Sequence, residues 1–289
     1  TVMQSIQQLK TRIAAIESTR QITQSMRLVS TAKVQRCRAR MNVATPFLEE
    51  SRRLVAAAVQ SLEGEQHPYL TPKGESKATA VVVVNGDRGL CGGYNVNVVR
   101  KAYQLMKTLP GEIRLVTVGA KARDYCRRRK HPAIAASFTG VSETPMFDDG
   151  AEIARLLLEW YDAGEVDEIL VVSTQFVSML TQHVRVQRLL PLEPPREFQP
   201  RTMRCELAGA ALLNRAVPFY AASFLYGVLL EAAACEQSAR IASMDNAVKN
   251  SDEMMASLQL LYHQARQGTI TQEINEIVAG ANAVNQEGE

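Results

Sequence analysis

Aromatic residues, cysteines and unbalanced charge are all scarce in this chain. Phe, Trp and Tyr make up 6% of the 289 residues, whereas Ala, Leu, Val, Met and Gln are plentiful, and this composition favours helices. The formal net charge of +3 is too small to indicate a nucleic acid or an anionic membrane as a partner. Hydrophobic residues at 46% and charged residues at 22% exclude a largely disordered chain.

Cysteine usage and apolar runs exclude two further classes of protein. The five cysteines are odd in number and far apart, so they offer neither a disulfide framework nor a Cys-x-x-Cys metal pair. A reducing, cytoplasmic setting is therefore expected. The longest apolar stretches, at 78–84 and 207–213, are much shorter than the roughly 18 residues of a membrane helix. The first residues lack a basic start and an apolar block, so no signal peptide is expected.

The first 62 residues predict a coiled-coil helix. Between residues 2 and 62 there is no Gly and only one Pro, Pro46. Apolar residues step by 3, 4 and 3, as in a coiled-coil seam; they are Ile6, Leu9, Ile13 and Ile16. A gap around Arg20 resembles a stutter, after which we expect the seam to resume on a shifted stripe. The resumed positions are Ile22, Met26 and Val29.

The middle of the chain predicts a doubly wound α/β layer. Short β-branched runs have the pattern of buried parallel strands; they lie at 80–84, 113–118 and 169–172. Helical patterns alternate with them, at about 95–109, 120–129 and 148–163. Strands that alternate with helices in this way are typical of an α/β sheet covered on both faces.

The C-terminal segment predicts a second coiled-coil helix that pairs with the first. Its seam comprises Ile241, Met244, Val248, Ser251, Met255, Leu258, Tyr262 and Ala265, and a displaced stripe follows Gly268 at Ile270, Ile274, Ile277, Ala281 and Val284. Residues 1–60 contain ten Lys and Arg against three Asp and Glu, a net of +7. Residues 231–289 contain three against nine, a net of −6. Opposite charges on either side of a compact domain predict an antiparallel pair.

A glycine-rich loop at 85–95 follows the first predicted strand, where an α/β sheet can hold a phosphate. No Gly-Lys-Ser/Thr closes it and Gly-x-Gly-x-x-Gly is absent, so a tight turn or a contact surface is the preferred interpretation. Cys91 is interpreted as a packed residue rather than a reactive thiol. The four histidines lack metal-ligand spacing, and the basic cluster at 127–130 suits a helix end. No catalytic, cofactor or metal site is predicted.

Three segments resemble the gamma subunit of F-type ATP synthases. They are the opening pattern at 9–33, the glycine-rich loop at 87–95 and a highly specific signature at 265–281, with a further match at 236–240. The opening pattern consists of Leu9, Lys10, Arg12, Ile13, Ile16, Thr19, Ile22, Thr23, Met26, Val29 and Lys33. The resemblance spans nearly the whole chain.

This resemblance implies a long antiparallel coiled coil of N- and C-terminal helices plus a Rossmann-like α/β domain. The implied boundaries are 1–62, 76–195 and 205–286. The implied function is that of the central-stalk rotor, which couples ion-driven rotation of the c-ring to conformational change at the beta-subunit catalytic sites. The implied partners are the hexamer of alpha and beta subunits, the epsilon subunit and the c-ring, without nucleic acid, cofactor or membrane insertion. The implied location is the cytoplasmic face of a bacterial cell membrane.

The resemblance also implies contact residues. Arg266 and Gln267 match a pair that hydrogen-bonds an acidic loop of one beta subunit. Met26, Thr271 and Glu273 match coupling positions, and Arg240 belongs to the same coupling stretch. The loop low on the shaft is matched by Asp87, Arg88, Gly89, Leu90, Cys91 and Gly92. The foot segment at 198–200 reads Phe-Gln-Pro rather than the family's Tyr-Glu-Pro-like pattern, so the c-ring contacts are not assigned.

Two hypotheses of other classes stay open at this point. The α/β domain could be an autonomous nucleotide-binding enzyme, which predicts that the isolated chain binds ATP. Alternatively, the chain could be a free coiled-coil adaptor, which predicts a stable homodimer.

Overall fold

The computed structural model describes residues 6–62, 65–71, 78–129, 132–192 and 209–286. The elements are α1 (Ile6–Gln60), β1 (Ala78–Val84), α2 (Tyr94–Met106), β2 (Glu112–Val118), α3 (Ala120–Arg129), β3 (Ile134–Phe138), α4 (Phe147–Asp162), β4 (Glu168–Phe176), β5 (Gln182–Leu190) and α5 (Gly209–Gln286). They form two compact units. The helical unit combines the chain up to Val29 with the chain from Ser243 onward, and the α/β unit is Ser30–Ala242. The predicted foot segment at 198–200 and Cys205 lie outside the described residues.

The α/β unit contains a five-stranded sheet in the order β3-β2-β1-β4-β5. The first four strands are parallel, and β5 pairs antiparallel with β4 at the edge. The α/β class and the three predicted strands are confirmed. Strands β3 and β5 were not predicted. Both are partly exposed edge strands: β3 has only five residues, and most residues of β5 are polar, so neither has the long continuous apolar run of a central strand.

The central strand β1 is buried on both faces, so its side chains divide between two cores. Ala80, Val82 and Val84 face a core shared with α4, the second half of α1 and the first half of α5. Val81 and Val83 face a second core shared with α2 and α3. The long helices are thus part of the α/β unit as well as of the helical unit, since α1 and α5 each run through both.

In the helical unit, α1 and α5 are antiparallel and joined by complementary charges. Arg27 Nη1 lies 2.9 Å from Asp245 Oδ1, and Arg20 Nε lies 2.6 Å from Asp252 Oδ1. A third pair continues the series, since Lys10 Nζ lies 5.8 Å from the centroid of the Tyr262 ring. The residue numbers in α5 therefore increase along the pairs as those in α1 decrease, as antiparallel helices require. The antiparallel pairing predicted from the charge difference is confirmed.

The seam of α5 is confirmed as far as Ala265, but the seam of α1 differs from the prediction. Ile22 and Val29 are 59% and 56% exposed, whereas Thr23 is buried at 8%. The seam therefore continues without a stutter, through Ile16, Arg20 and Thr23, in steps of 4 and 3. The prediction was wrong because it required apolar residues. Thr23 Oγ1 donates to its own helix at Thr19 O, 2.8 Å away, so its hydroxyl is satisfied while its methyl packs.

Two further findings concern α5. The displaced stripe is exposed at Ile270, Ile274 and Ile277, and the side chains of Ala281 and Val284 lie outside the described residues. In addition, α5 is long and apolar enough to cross a membrane by length and composition alone, although 67% of its most apolar window is buried inside the fold. The expectation that every apolar stretch is too short holds only for uninterrupted runs. Such burial is typical of a helix that packs inside a protein core.

Candidate functional site

The loop from β1 to α2 lies where an α/β sheet usually binds its ligand. Helices α2 and α3 cover one face of the sheet and α4 covers the other, so the direction of winding reverses between β1 and β4. Ligands of open α/β sheets bind in the crevice at the carboxyl ends of the two strands that flank such a reversal. The predicted loop, Asp87 to Gly92, is at this end of β1.

Helix α5 occupies this crevice. Glu236 is 1% exposed, and a Cβ added to Gly86 would lie 2.7 Å from the Glu236 Cδ atom. Beside it, Cys91, Tyr94 and Cys235 form a buried cluster, in which Tyr94 Oη donates to the carbonyl of Ala232 at 3.1 Å. The close approach of Gly86 to Glu236 leaves no room for a phosphate at this turn. The interpretation of the loop as a tight turn therefore agrees with its geometry.

Two asparagines shape the loop. Asn85 Nδ2 donates to Asn95 O at 3.1 Å, and Gly86 N donates to Asn95 Oδ1 at 3.2 Å. Asn95 Nδ2 donates in turn to Arg88 O at 3.1 Å and lies 3.0 Å from Cys91 Sγ. Burial raises the pKa of the Cys91 thiol, and reactive cysteines require the opposite shift.

The tip of the loop presents Leu90. Its φ is +62°, a left-handed conformation that costs a non-glycine residue roughly 1–2 kcal/mol, and its side chain is exposed. Gly92, with φ of +54°, occupies the same region without that cost. A strained backbone that holds an apolar side chain out of the fold suits a contact surface.

Asp87 closes the loop onto the neighbouring segments. Its Oδ1 accepts from Ala120 N at 2.8 Å, at the start of α3, and its Oδ2 accepts from Ser142 N at 3.1 Å. Its own N–H donates to Ser142 Oγ at 2.9 Å. Burial alone would raise the pKa of Asp87, but backbone hydrogen bonds from Gly140, Ala120 and Ser142 outweigh it and hold the pKa below its ordinary value.

Arg240 belongs to the same site, since its guanidinium reaches the loop from α5. Arg240 Nη2 lies 2.6 Å from Glu236 Oε1, and Nε and Nη2 donate to Gly89 O at 3.3 and 3.1 Å. The Arg240 side chain is 7% exposed. Burial raises the pKa of Glu236, and the adjacent guanidinium opposes that shift. The side chain of Arg240 thus contacts its own chain.

The other predicted contact residues lie in the helical unit and do not form one cluster. Met26 is half-buried, whereas Arg266, Gln267, Thr271 and Glu273 are exposed. Met26 is adjacent to Arg27, whose partner Asp245 precedes Arg266 by 21 residues, about 30 Å along a helix. Within the exposed group, Thr271 Oγ1 donates to Gln267 O at 2.9 Å.

Sequence reasoning did not assign a role to Glu236, Asn95 or Ser142. Glu236 and Arg240 had a usable signal, because oppositely charged residues four apart interrupt an otherwise apolar stretch of helix. Ser142 and Asn95 had none, since their roles depend on loops that meet only in the folded chain. Among the described residues, no group of His, Cys, Asp and Glu could hold a metal ion.

Comparisons with known proteins agree on one family. A family model described as ATP synthase matches residues 5–284. The "ATP synthase gamma chain" of Pelotomaculum thermopropionicum is 41% identical, with coverage of 98% of this chain and 100% of the relative. The "ATP synthase gamma chain, sodium ion specific" of Acetobacterium woodii is 34% identical, with coverage of 98% and 99%.

Solved structures give the same result at the level of the fold. The central stalk and c-ring of the Tetrahymena thermophila mitochondrial ATP synthase contains a chain that is 26% identical, with a TM-score of 0.58 and coverage of 78% of this chain and 99% of that one. A chain of the Euglena gracilis mitochondrial ATP synthase has a TM-score of 0.72 at 18% identity, with coverage of 98% and 96%. The second likeness is one of fold alone.

Proposed function

The chain belongs to the ATP synthase gamma chain family, and from that premise we propose that it is the central-stalk rotor of an F-type ATP synthase. In this function, ion flow turns the c-ring, the c-ring turns this chain, and the turning chain changes the conformation of the beta-subunit catalytic sites. Support comes from near-complete coverage of the gamma chain of P. thermopropionicum and from a 26% identical chain in a solved central stalk.

The surface of α5 in the helical unit is the single observation that supports this function best. From residue 266 to residue 280 every side chain is exposed, including the apolar Ile270, Ile274 and Ile277. A helix that exposes all its side chains over about four turns, large apolar ones among them, requires a partner that encloses it. The bore of a ring of alpha and beta subunits is such a partner.

Coupling then follows from differential contact. A rotor changes the nucleotide affinity of a beta subunit only if its contact energy differs between the conformations of that subunit. We propose that Arg266, Gln267, Thr271 and Glu273 supply such contacts on α5 and that Met26 supplies one on α1. The exposed polar group at 266–273 suits charge-assisted hydrogen bonds, which are directional and so distinguish rotary positions.

The chain itself is proposed to be non-catalytic. The crevice that would hold a nucleotide contains Glu236 and Arg240 of α5, and a buried carboxylate next to Gly86 repels a phosphate. The rival nucleotide-binding hypothesis is tested by calorimetry of the isolated chain. Micromolar affinity for ATP that is lost on changing Gly92 and Gly93 would support the rival.

The proposed surroundings follow from the family. The partners are the alpha and beta subunits, the epsilon subunit and the c-ring, at the cytoplasmic face of a bacterial cell membrane, with this chain as a peripheral subunit. The proposed boundaries are 1–62 for the N-terminal coiled-coil helix, 76–195 for the α/β domain and 205–286 for the C-terminal coiled-coil helix. The loop from Asp87 to Gly92 is proposed to be a lower-stalk contact, with Leu90 as its exposed residue.

The decisive experiment is ATP hydrolysis by matching alpha and beta subunits with and without this chain. The rotor function predicts one copy per hexamer, measured by analytical ultracentrifugation, and a strong rise in turnover. A homodimer that neither joins the hexamer nor raises turnover would support the adaptor hypothesis instead.

A further inference from the structure

Helix α1 is tied to the loop after β1 through one carboxylate. Glu143, in the segment between β3 and α4, lies between a lysine of α1 and an arginine of the loop. Glu143 Oε2 is 3.2 Å from Lys33 Nζ, and Glu143 Oε1 is 2.6 Å from Arg88 Nε. A second link lies two residues further on in the same segment, where Arg40 Nη1 of α1 donates to Pro145 O at 3.3 Å.

Helix α5 is tied to the same loop through the Arg240 guanidinium, which a second carboxylate, Glu236 of the same helix, orients. Glu236 holds the Arg240 guanidinium, which donates twice to the carbonyl of Gly89. Lys33 and Arg240 both lie within about one helical turn of the residues at which α1 and α5 pass out of the α/β unit, at Ser30 and Ala242. We name the five charged residues of these links the charge clamp: Lys33, Arg88, Glu143, Glu236 and Arg240.

We infer that the charge clamp fixes α1 and α5 against rotation relative to the sheet, so that torque passes between the α/β unit and the coiled segments beyond it. Apolar seams resist separation of helices, yet they allow small sliding and rolling, because dispersion contacts have no direction. Charge-assisted hydrogen bonds are directional, so they resist those motions. Glu143 and Glu236 are the positioning residues of the clamp. Glu143 joins Lys33 of α1 to Arg88 of the loop, and Glu236 orients the guanidinium with which Arg240 reaches the loop. The role in torque rests on the proposed rotor function, whereas the clamp itself does not.

Burial makes the two halves of the clamp unequal. The Glu236–Arg240 pair has side chains that are 1% and 7% exposed, so water and salt screen it weakly. The Glu143 links are more exposed, with Lys33 and Glu143 both at 28% and Arg88 at 70%. We therefore expect the α5 link to carry the larger share and the α1 link to weaken at high salt.

The clamp is tested first in the isolated full-length chain by hydrogen exchange of the amides at 87–93. Replacing Glu236→Gln or Glu143→Gln keeps the size of each side chain but removes its charge, and we expect exchange there to rise about ten-fold as local opening becomes easier. Glu152→Gln, a change of the same kind at an exposed position of α4, is the control and leaves exchange unchanged. Unchanged exchange in both clamp variants overturns the inference.

The effect on torque is then measured in the complex with alpha and beta subunits, from the angular fluctuation of a rod attached to the α/β unit. We expect Glu143→Gln and Lys33→Gln to widen the angular variance about two-fold, with Glu143→Asp closer to wild type and Glu152→Gln equal to it. If the wild-type chain fails to raise ATP turnover, the rotor function is wrong, and the exchange result decides the clamp alone. Equal variance in wild type and both variants overturns the role in torque.

Discussion

At the scale of a single residue, the carboxylate of Asp87 holds several segments of the α/β unit together. Three segments meet at its side chain: its own loop, the start of α3 at Ala120 and the segment at Ser142. An acidic group at the start of a helix is favoured by the helix dipole, and two backbone N–H groups would lack partners without it. These hydrogen bonds favour the charged carboxylate, and the pKa of Asp87 is lowered for the same reason.

We expect Asp87→Asn to lower the free energy of unfolding by about 1–3 kcal/mol at neutral pH, because the amide offers one acceptor oxygen where two N–H donors need partners. The folded-state pKa of Asp87 is lowered, so its stabilising effect is complete above the unfolded pKa of about 3.9 and is lost as the pH falls through the folded value. Denaturant unfolding at several pH values from neutral down to about pH 3 measures both effects.

The acid-dependent loss due to Asp87 should be present in the wild type and absent from Asp87→Asn. Asp148→Asn is the control, since the Asp148 carboxylate is likewise at the start of a helix, in the first turn of α4, but its side chain is exposed. An equal pH dependence for wild type and Asp87→Asn would contradict the prediction.

Among the elements, the crossing of α4 and α5 depends on Gly150. A Cβ there would lie 2.8 Å from Tyr226 N and 2.9 Å from Ala222 O, both backbone atoms of α5. Backbone cannot move aside as a flexible side chain can, so the glycine sets the distance between the two helices. At Gly268, in the exposed part of α5, such a Cβ would meet no atom within 4 Å among the described residues, apart from the neighbouring backbone of its own helix.

Two alanine substitutions should therefore change stability in opposite directions. Gly150→Ala forces α4 away from α5, and we expect it to lower the free energy of unfolding by about 1–3 kcal/mol. Gly268→Ala reduces backbone freedom in the unfolded helix without a clash, and we expect it to raise helix stability by up to about 1 kcal/mol. Thermal unfolding followed by circular dichroism measures both, and a loss of equal size in the two variants would refute the steric argument.

The same scale shows which elements the sequence could predict. Strands β1, β2 and β4 and helices α2, α3 and α4 were predicted because burial on a regular period leaves a regular apolar pattern. Edge strands β3 and β5 leave a weaker pattern, since β3 has only five residues and most residues of β5 are polar. The seam at Arg20 and Thr23 was missed because polar residues can occupy a seam when a helix carbonyl or an ion pair satisfies them. The meeting of Arg240 with the loop at Gly89, 151 residues away in sequence, required the fold.

For the whole molecule, the proposed function gives an exposed patch of α5 a kinetic role. We expect the double change Arg266→Ala and Gln267→Ala to slow ATP hydrolysis by the assembled complex about ten-fold. In the unchanged chain these two side chains are proposed to stabilise one rotary position by hydrogen bonds, and the double change removes them. Assembly and the unfolding temperature of the isolated chain should stay the same, since both side chains are exposed. Steady-state turnover is the measurement.

Gln259→Ala is the matched control for the double change, because it removes an exposed glutamine on the same helix. Normal turnover in the double variant would show that Arg266 and Gln267 do not contact the catalytic subunits. Slow turnover in Gln259→Ala as well would point to a general effect on the helix.

The apolar stripe of α5 also has a consequence for the cell that makes this chain. A copy without its partners exposes Ile274 at 53% and Ile277 at 71%, together with neighbours of the same kind. Such a surface attracts other unpaired chains, chaperones and proteases. Synthesis of this subunit in excess of its partners should therefore shorten its lifetime, and the amount that persists should follow the supply of the subunits that enclose it.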